Sequence, residues 1–378
     1  MNKEVYLDHA ASGELDAEVL RYLVGLYEKK LGNASSIHFS GVRSAREVEL
    51  ARAKIASKCG CSPDEVIFTS GATESNNLAL YGYWKANRSS GRDEILISAI
   101  EHASVEKAAS LLEEFGVRVQ RVPVNREGLV DISALERMIS SRTLLVSIVH
   151  ANSEIGVIQD LSAIGRLCRE KGVAFHSDGA QAFCKTDFHF GESSVDLYSI
   201  SSHKIHGPKG VGALIVRRGV QLHPLFGGGG QESGLRAGTL PSELIGAFAK
   251  ATEIWNSDDL ERLKKLRDSL VSELKKIRAD VRINGSLDSR LVTNLNFAFP
   301  GLPDKAVLQH LDRAGVRVSA GSACNSSKKT PSPVLKAIGQ SDEEAYEAIR
   351  VSFGKSTTDA DVDVLLESLK TLLNSNQS

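Results

Sequence analysis

Hydrophobic positions in the first two thirds of the chain fall into short apolar runs separated by amphipathic stretches. The runs Val66–Ser70, Ile95–Ile100, Arg118–Val124, Leu144–His150, Val173–Asp178, Leu197–Ser201 and Val211–Arg217 predict strands. Stretches with apolar residues three or four apart predict helices over Glu47–Lys58, Ser75–Ala86, Ser104–Phe115, Ser133–Ile139 and Leu161–Lys171. Runs such as Leu144 to Val149 are apolar on both faces, the pattern of strands covered by helices on both sides. The alternation predicts an α/β fold built on a largely parallel sheet.

The pattern changes after Trp255. Leu260, Leu263, Leu266, Leu270, Leu274 and Ile277 form one stripe of a long helix, with Ser257 as its expected cap. Strands are expected at Val292–Phe299, Val316–Ser319 and Ile349–Phe353, and helices at Lys305–Ala314 and Asp359–Leu373. The expectation is a large domain over residues 15–255. Residues 256–378 with residues 1–14 would form a smaller α+β domain, with Tyr6–Asp8 near the junction.

Composition narrows the picture. With 378 residues, 42% hydrophobic and 25% charged, the chain buries a large core and is not a disordered segment. Lys plus Arg number 46 against 47 for Asp plus Glu, which excludes a generic basic surface for nucleic acid. No run approaches the roughly 20 apolar residues of a membrane span. Five scattered cysteines, an odd number, argue against a disulfide framework, and no secretory leader is visible. A cytoplasmic location is therefore expected.

Several strand ends carry residues suited to chemistry. Lys204 lies in Ser202-His203-Lys204-Ile205-His206-Gly207-Pro208, after a strand and before a turn. It suits a Schiff base to an aldehyde cofactor, or it is a surface lysine of the turn. Asp178 ends a buried strand and either pairs with a protonated ring nitrogen or caps the next helix. Gly71-Ala72-Thr73-Glu74 opens a helix after the strand ending at Ser70, a start that fits a phosphate but is common without one. His102 lies past another strand, as a ring-stacking proton carrier or as a structural histidine. Cys324 sits among small polar residues with Lys328 and Lys329 nearby, which favour a thiolate; the alternative is an incidental thiol. Cys59, Cys61, Cys168 and Cys184 suit structural roles. Arg350 lies within an apolar strand pattern and needs an anion, either a substrate carboxylate or a structural partner.

Taken in order, these segments resemble the NifS/IscS-type cysteine desulfurases, pyridoxal phosphate (PLP) enzymes of the class V aminotransferase group. The resemblance runs from Tyr6-Leu7-Asp8 through Gly32-Asn33-Ala34-Ser35-Ser36, Thr69 to Glu74, Glu101-His102 and His150-Ala151-Asn152. It continues through Asp178 to Gln181, His203-Lys204, Arg236-Ala237-Gly238-Thr239, Gly321-Ser322-Ala323-Cys324 and Arg350. It implies an aspartate aminotransferase-like fold, PLP as cofactor and L-cysteine as substrate. It also implies a homodimer and a sulfur-acceptor protein such as an iron–sulfur scaffold.

By the same resemblance Lys204 holds PLP, Asp178 partners the ring nitrogen, Gln181 faces the phenolic oxygen and His102 stacks on the ring. Ala72, Thr73, Ser201 and His203 take the phosphate, joined by Thr239 of the neighbouring subunit. Asn33 and Arg350 lie near the substrate carboxylate, and Cys324 accepts the sulfur. Ser153 stands where the family usually has an asparagine contacting the cofactor. His9 and Ala34 replace its usual asparagine and proline.

Overall fold

The computed structural model describes residues 4–321 and 330–375. All seven strands predicted in the first part of the chain join one sheet. Their order is Val66–Thr69, Gly212–Val216, Leu197–Ser201, Ala174–Asp178, Thr143–Ser147, Glu94–Ser98 and Arg118–Val122. Gly212–Val216 runs antiparallel to both neighbours, and the remaining pairings are parallel. The sheet is α/β in its surroundings, as expected. Leu96 faces one apolar layer while Ile95 and Ile97 face the other, so both faces are covered. The edge strand Arg118–Val122 exposes Arg118 and Arg121, charges that discourage further strand pairing.

The helices differ from the sequence expectation in instructive ways. The predicted helix at 47–58 is the second half of Phe39–Cys59, which ends at Gly60 with φ +67°. The one predicted at 75–86 is part of a continuous helical run over 72–87 whose middle, Leu78–Gly82, is π-helical. Two long helices, Ala17–Glu28 and Ser242–Glu253, and two short ones, Pro333–Ala337 and Asp342–Ala345, escaped prediction. The first exposes Leu20 and Val24 beside its buried positions. The second buries Ile245, Gly246, Ala247, Phe248, Ala249 and Ala251. In the second, Glu243, Lys250 and Glu253 form only a thin polar face beside that buried run.

Beyond Trp255, Ala348–Ser352, Asn294–Ala298 and Arg282–Ile283 form a three-stranded antiparallel sheet. Helices Ser257–Ile277, Asp304–Arg313 and Asp359–Ser375 occur in this part of the chain. Asn256, not Ser257, caps the long helix: its side chain accepts from the Asp259 amide at 2.9 Å. Ser257 is the first helical residue. The N-terminal strand Val5–Tyr6 pairs in parallel with Val316–Arg317, and Asp8 bridges to Ser352. Among the described residues no helix is long and apolar enough to cross a membrane.

Candidate active site

Six strands of the large sheet run in one direction, and five of them end on one edge at Thr69, Ser98, Ser147, Asp178 and Ser201. The segments that follow them line a cavity of about 500 Å³. Open α/β sheets place ligands at this edge, because the strand ends present diverging loops and helix N-termini there.

Lys204 sits in a single helical turn, Ser202–Ile205, directly after its strand. Its Nζ donates to the carbonyl of Ala10 at 2.6 Å and of Ala11 at 2.9 Å. Gln181 Nε2 donates to the same Ala10 carbonyl at 2.8 Å. The segment at residues 10–12 therefore fixes both side chains against one wall of the cavity. Beside Lys204, His203 is pushed down to about 4 by burial and by the charges of Lys204, Lys209 and Lys185. It is neutral at physiological pH and retains one ring N–H to donate.

Asp178 closes the cavity floor and is 4% exposed. Its Oδ1 accepts from the Ala180 amide at 2.9 Å and its Oδ2 from Asn76 Nδ2 at 2.8 Å. Asn76 also donates to Ser104 Oγ at 2.8 Å, and Ser104 Oγ lies 2.8 Å from His102 Nδ1. His102 in turn caps the helix Ala103–Glu113 by accepting from the Ser104 amide at 3.1 Å. One buried hydrogen-bonded chain thus joins Asp178 to His102.

The helix start at Ala72 and Thr73 also lines the cavity. Gly71 precedes it at φ +147°, and a Cβ there would sit 3.7 Å from Ser201 Oγ. First-turn amides have no partner within their own helix, so they and Ser201 are available to an anion. Glu74 is turned away from this duty, because its carboxylate accepts from the Ser70 amide at 2.7 Å and from Arg236 at 2.9 Å. Burial raises Glu74, but the Arg236 and Ser70 hydrogen bonds outweigh it and hold the carboxyl below its usual range.

Arg350 enters from the three-stranded sheet, 1% exposed. Its guanidinium bonds Asp8 Oδ1 at 2.6 Å and the Ser153 carbonyl at 3.2 Å. Its Nε has no hydrogen-bond partner among the described residues. Behind it, Glu154 is raised by burial and accepts from Ser332 Oγ at 2.5 Å. A Cβ on Gly321 would lie 3.3 Å from the same carboxyl oxygen, so both described flanks of residues 322–329 meet at Glu154.

An amine at a strand end, a buried carboxylate and an anion-binding helix start are the donor set for an aldehyde cofactor with a basic ring and a phosphate. Comparison with known proteins agrees. The chain matches the family described as Aminotransferase class-V over residues 5–365. It is 42% identical over 376 residues to the cysteine desulfurase IscS of Dictyoglomus turgidum, covering 99% of this chain and 95% of that one. The chain belongs to the class-V aminotransferases, among the cysteine desulfurases. Solved structures superpose closely. A NifS-like protein matches with TM-score 0.92 at 35% identity, covering 99% of this chain and 100% of that one. SspA in complex with cysteine matches with TM-score 0.83 at 34% identity, covering 94% and 100%.

In this class-V aminotransferase the cavity gathers Lys204, His203, Ser201, Asp178, Gln181, His102, Ala72, Thr73, Ser153 and Arg350. Asn33 and Thr239 are exposed and do not line it. Cys324 lies outside the described residues. Asn76, Ser104 and the Ala10 carbonyl complete the site and escaped the sequence reading. Asn76 lies one turn before the fully buried Leu80, a polar residue on a helix's apolar face, and that was the available signal. A backbone carbonyl leaves none. The remaining cysteines fit structural roles: burial pushes the Cys168 and Cys184 thiols up to about 12, so neither is a nucleophile at neutral pH.

Proposed function

We propose that this PLP-dependent cysteine desulfurase converts L-cysteine to L-alanine and collects the sulfur on Cys324 as a persulfide. The observation that carries the reading is Lys204 at a strand end, sharing one cavity with the buried Asp178 and the open helix start at Ala72 and Thr73.

Bound PLP supplies an aldehyde for amines and a ring that draws electrons from the substrate Cα. In the proposal Lys204 holds the cofactor, Asp178 keeps its ring nitrogen protonated, Gln181 faces the phenolic oxygen and His102 stacks on the ring. Ala72, Thr73, Ser201 and His203 bind the phosphate, and Ser153 gives a further contact. Arg350 binds the substrate carboxylate, an exchange of one carboxylate partner for another because Asp8 already bonds it. Lys204, the amine on the cavity wall, would move the substrate Cα proton. The Cys324 thiolate attacks the substrate sulfur; an S–S bond forms as the Cβ–S bond breaks, and Cβ takes up a proton to give alanine.

The exposed positions of Asn33 and Thr239 favour a homodimer in which a second copy of the chain completes each site. An iron–sulfur scaffold protein in the cytoplasm is the proposed sulfur acceptor. The resemblance to proteins named IscS supports that choice.

The test is reduction of the PLP-loaded protein with borohydride, followed by peptide mass analysis and an alanine assay. The reading expects the pyridoxyl mass on the peptide containing Lys204, and alanine formed from cysteine before reduction but not after. A pyridoxyl label on another lysine, or alanine formation by Lys204→Ala, would sink it.

A further inference from the structure

We propose that Asn76 and Ser104 form a one-way hydrogen-bond relay from Asp178 that fixes His102 as the imidazole carrying its proton on Nε2. The proposal deepens the desulfurase reading and rests on it only for the use made of the ring.

The direction of the relay follows from what each group is able to give. The Asp178 carboxylate only accepts, so the Asn76 atom 2.8 Å from its Oδ2 is the amide nitrogen. That nitrogen has two protons, and the second points at Ser104 Oγ, also 2.8 Å away. The Ser104 oxygen is thereby an acceptor toward Asn76, and its own proton is left for His102 Nδ1 at 2.8 Å. The Ser104 backbone N–H donates to the same ring nitrogen at 3.1 Å. Nδ1 thus meets two donors, which places the ring proton on Nε2. Asn76 is 0% exposed and Ser104 8%, so water does not substitute for these bonds cheaply.

The consequence concerns the division of labour. A ring held in this form has its Nδ1 lone pair engaged by Ser104 and serves the site as a flat face with an N–H at Nε2. Proton removal at the substrate Cα then falls to Lys204. Asn76 and Ser104 act as positioning residues, and Asn76 ties the orientation of Asp178 to that of His102. Other titratable groups of the site are Lys204, Lys209, His203, Glu74 and Arg350 on the cavity wall, Glu154, whose carboxyl His102 lowers, and Glu101, next in sequence to His102.

The test uses the PLP-loaded full chain with ring-¹⁵N histidine, and the His102 signals are assigned by their loss in His102→Gln. The wild type is expected to show a pyridine-type Nδ1 and a pyrrole-type Nε2. Asn76→Asp turns the donor into an acceptor, so Ser104 donates backwards and its lone pair faces Nδ1. The proton affinity of His102 should then rise about tenfold, a shift of about one pH unit. In a Ser104→Ala background the same change should leave His102 in place. A protonated Nδ1 in the wild type, no shift in Asn76→Asp, or an equal shift in both backgrounds overturns the relay; the last would be a through-space charge effect. If Asn76→Asp does not fold, Asn76→Ala reads the same bond: two ring tautomers support the relay and one contradicts it. Failure to take up PLP with wild-type ring signals would sink the desulfurase reading and leave the relay standing.

Discussion

Arg350 and Glu101 show how burial turns single residues into measurable devices. The Arg350–Asp8 pair is buried on the arginine side, where side-chain exposure is 2%. Replacing the planar fork by a point charge at such a place is not conservative. Arg350→Lys is expected to raise the KM for cysteine about tenfold or more while kcat falls less, as steady-state assays would show. Glu101 has both carboxyl oxygens inside the protein. Oε1 accepts from Ser98 Oγ at 2.5 Å and the Val149 amide at 2.7 Å, and Oε2 has no hydrogen-bond partner among the described residues. Burial, reinforced by the charge of Asp178, pushes Glu101 from 4.5 up to about 8. The folded chain therefore keeps a proton that the unfolded chain releases. The stability this gives is complete below the ordinary value and is lost as pH rises through about 8. Glu101→Gln keeps the neutral shape, so its melting temperature should fall less than that of the wild type between mildly acidic and mildly alkaline pH. Parallel slopes would show that Glu101 is ionised when folded. Neither behaviour was legible from residue types: Arg350 read equally as a substrate ligand or as half of a salt bridge, and the structure shows it already paired with Asp8.

At the scale of elements, strands were more legible than helix ends. A strand buried on both faces is an apolar run, and all seven predicted runs pair as strands, the half-exposed edge run Arg118–Val122 included. Helix starts depend on single side chains, so the cap fell on Asn256 rather than Ser257. The helix Ser242–Glu253 was hidden because its polar face is thin, Glu243, Lys250 and Glu253 beside a buried run from Ile245 to Ala249. The helix start at Ala72 depends on close contact between two glycines. A Cβ on Gly212 would lie 2.6 Å from the Ile200 carbonyl and 2.7 Å from Gly71 Cα. Gly212→Ala is therefore expected to displace the turn at Gly71 and weaken PLP binding about tenfold or more. A titration of the apoprotein followed by the cofactor's absorbance measures this. Unchanged affinity would mean that the turn does not bind the phosphate.

At the scale of the whole molecule, one chain assembles ten of the expected site residues and leaves Asn33 and Thr239 outside its own cavity. A lone sequence does not say which chain supplies a residue, so that part of the site became readable only against the fold. If a second copy contributes Thr239, complementation follows. Lys204→Ala is expected to be inactive and Thr239→Ala weakly active alone, but co-expressed chains should form hybrids with one intact site. Recovery of about a quarter of wild-type turnover per total site is the expected outcome for random pairing, and no recovery would place Thr239 outside the shared site. The central claim is transfer of sulfur from cysteine to Cys324, and its most direct measurement is a persulfide map. The PLP-loaded protein is given L-cysteine without reductant, alkylated, digested and weighed. The account predicts one extra sulfur on the peptide containing Cys324, matched by alanine and absent from Cys324→Ser. Extra sulfur on Cys59, Cys61, Cys168 or Cys184 instead, or undiminished alanine formation by Cys324→Ser, would contradict it.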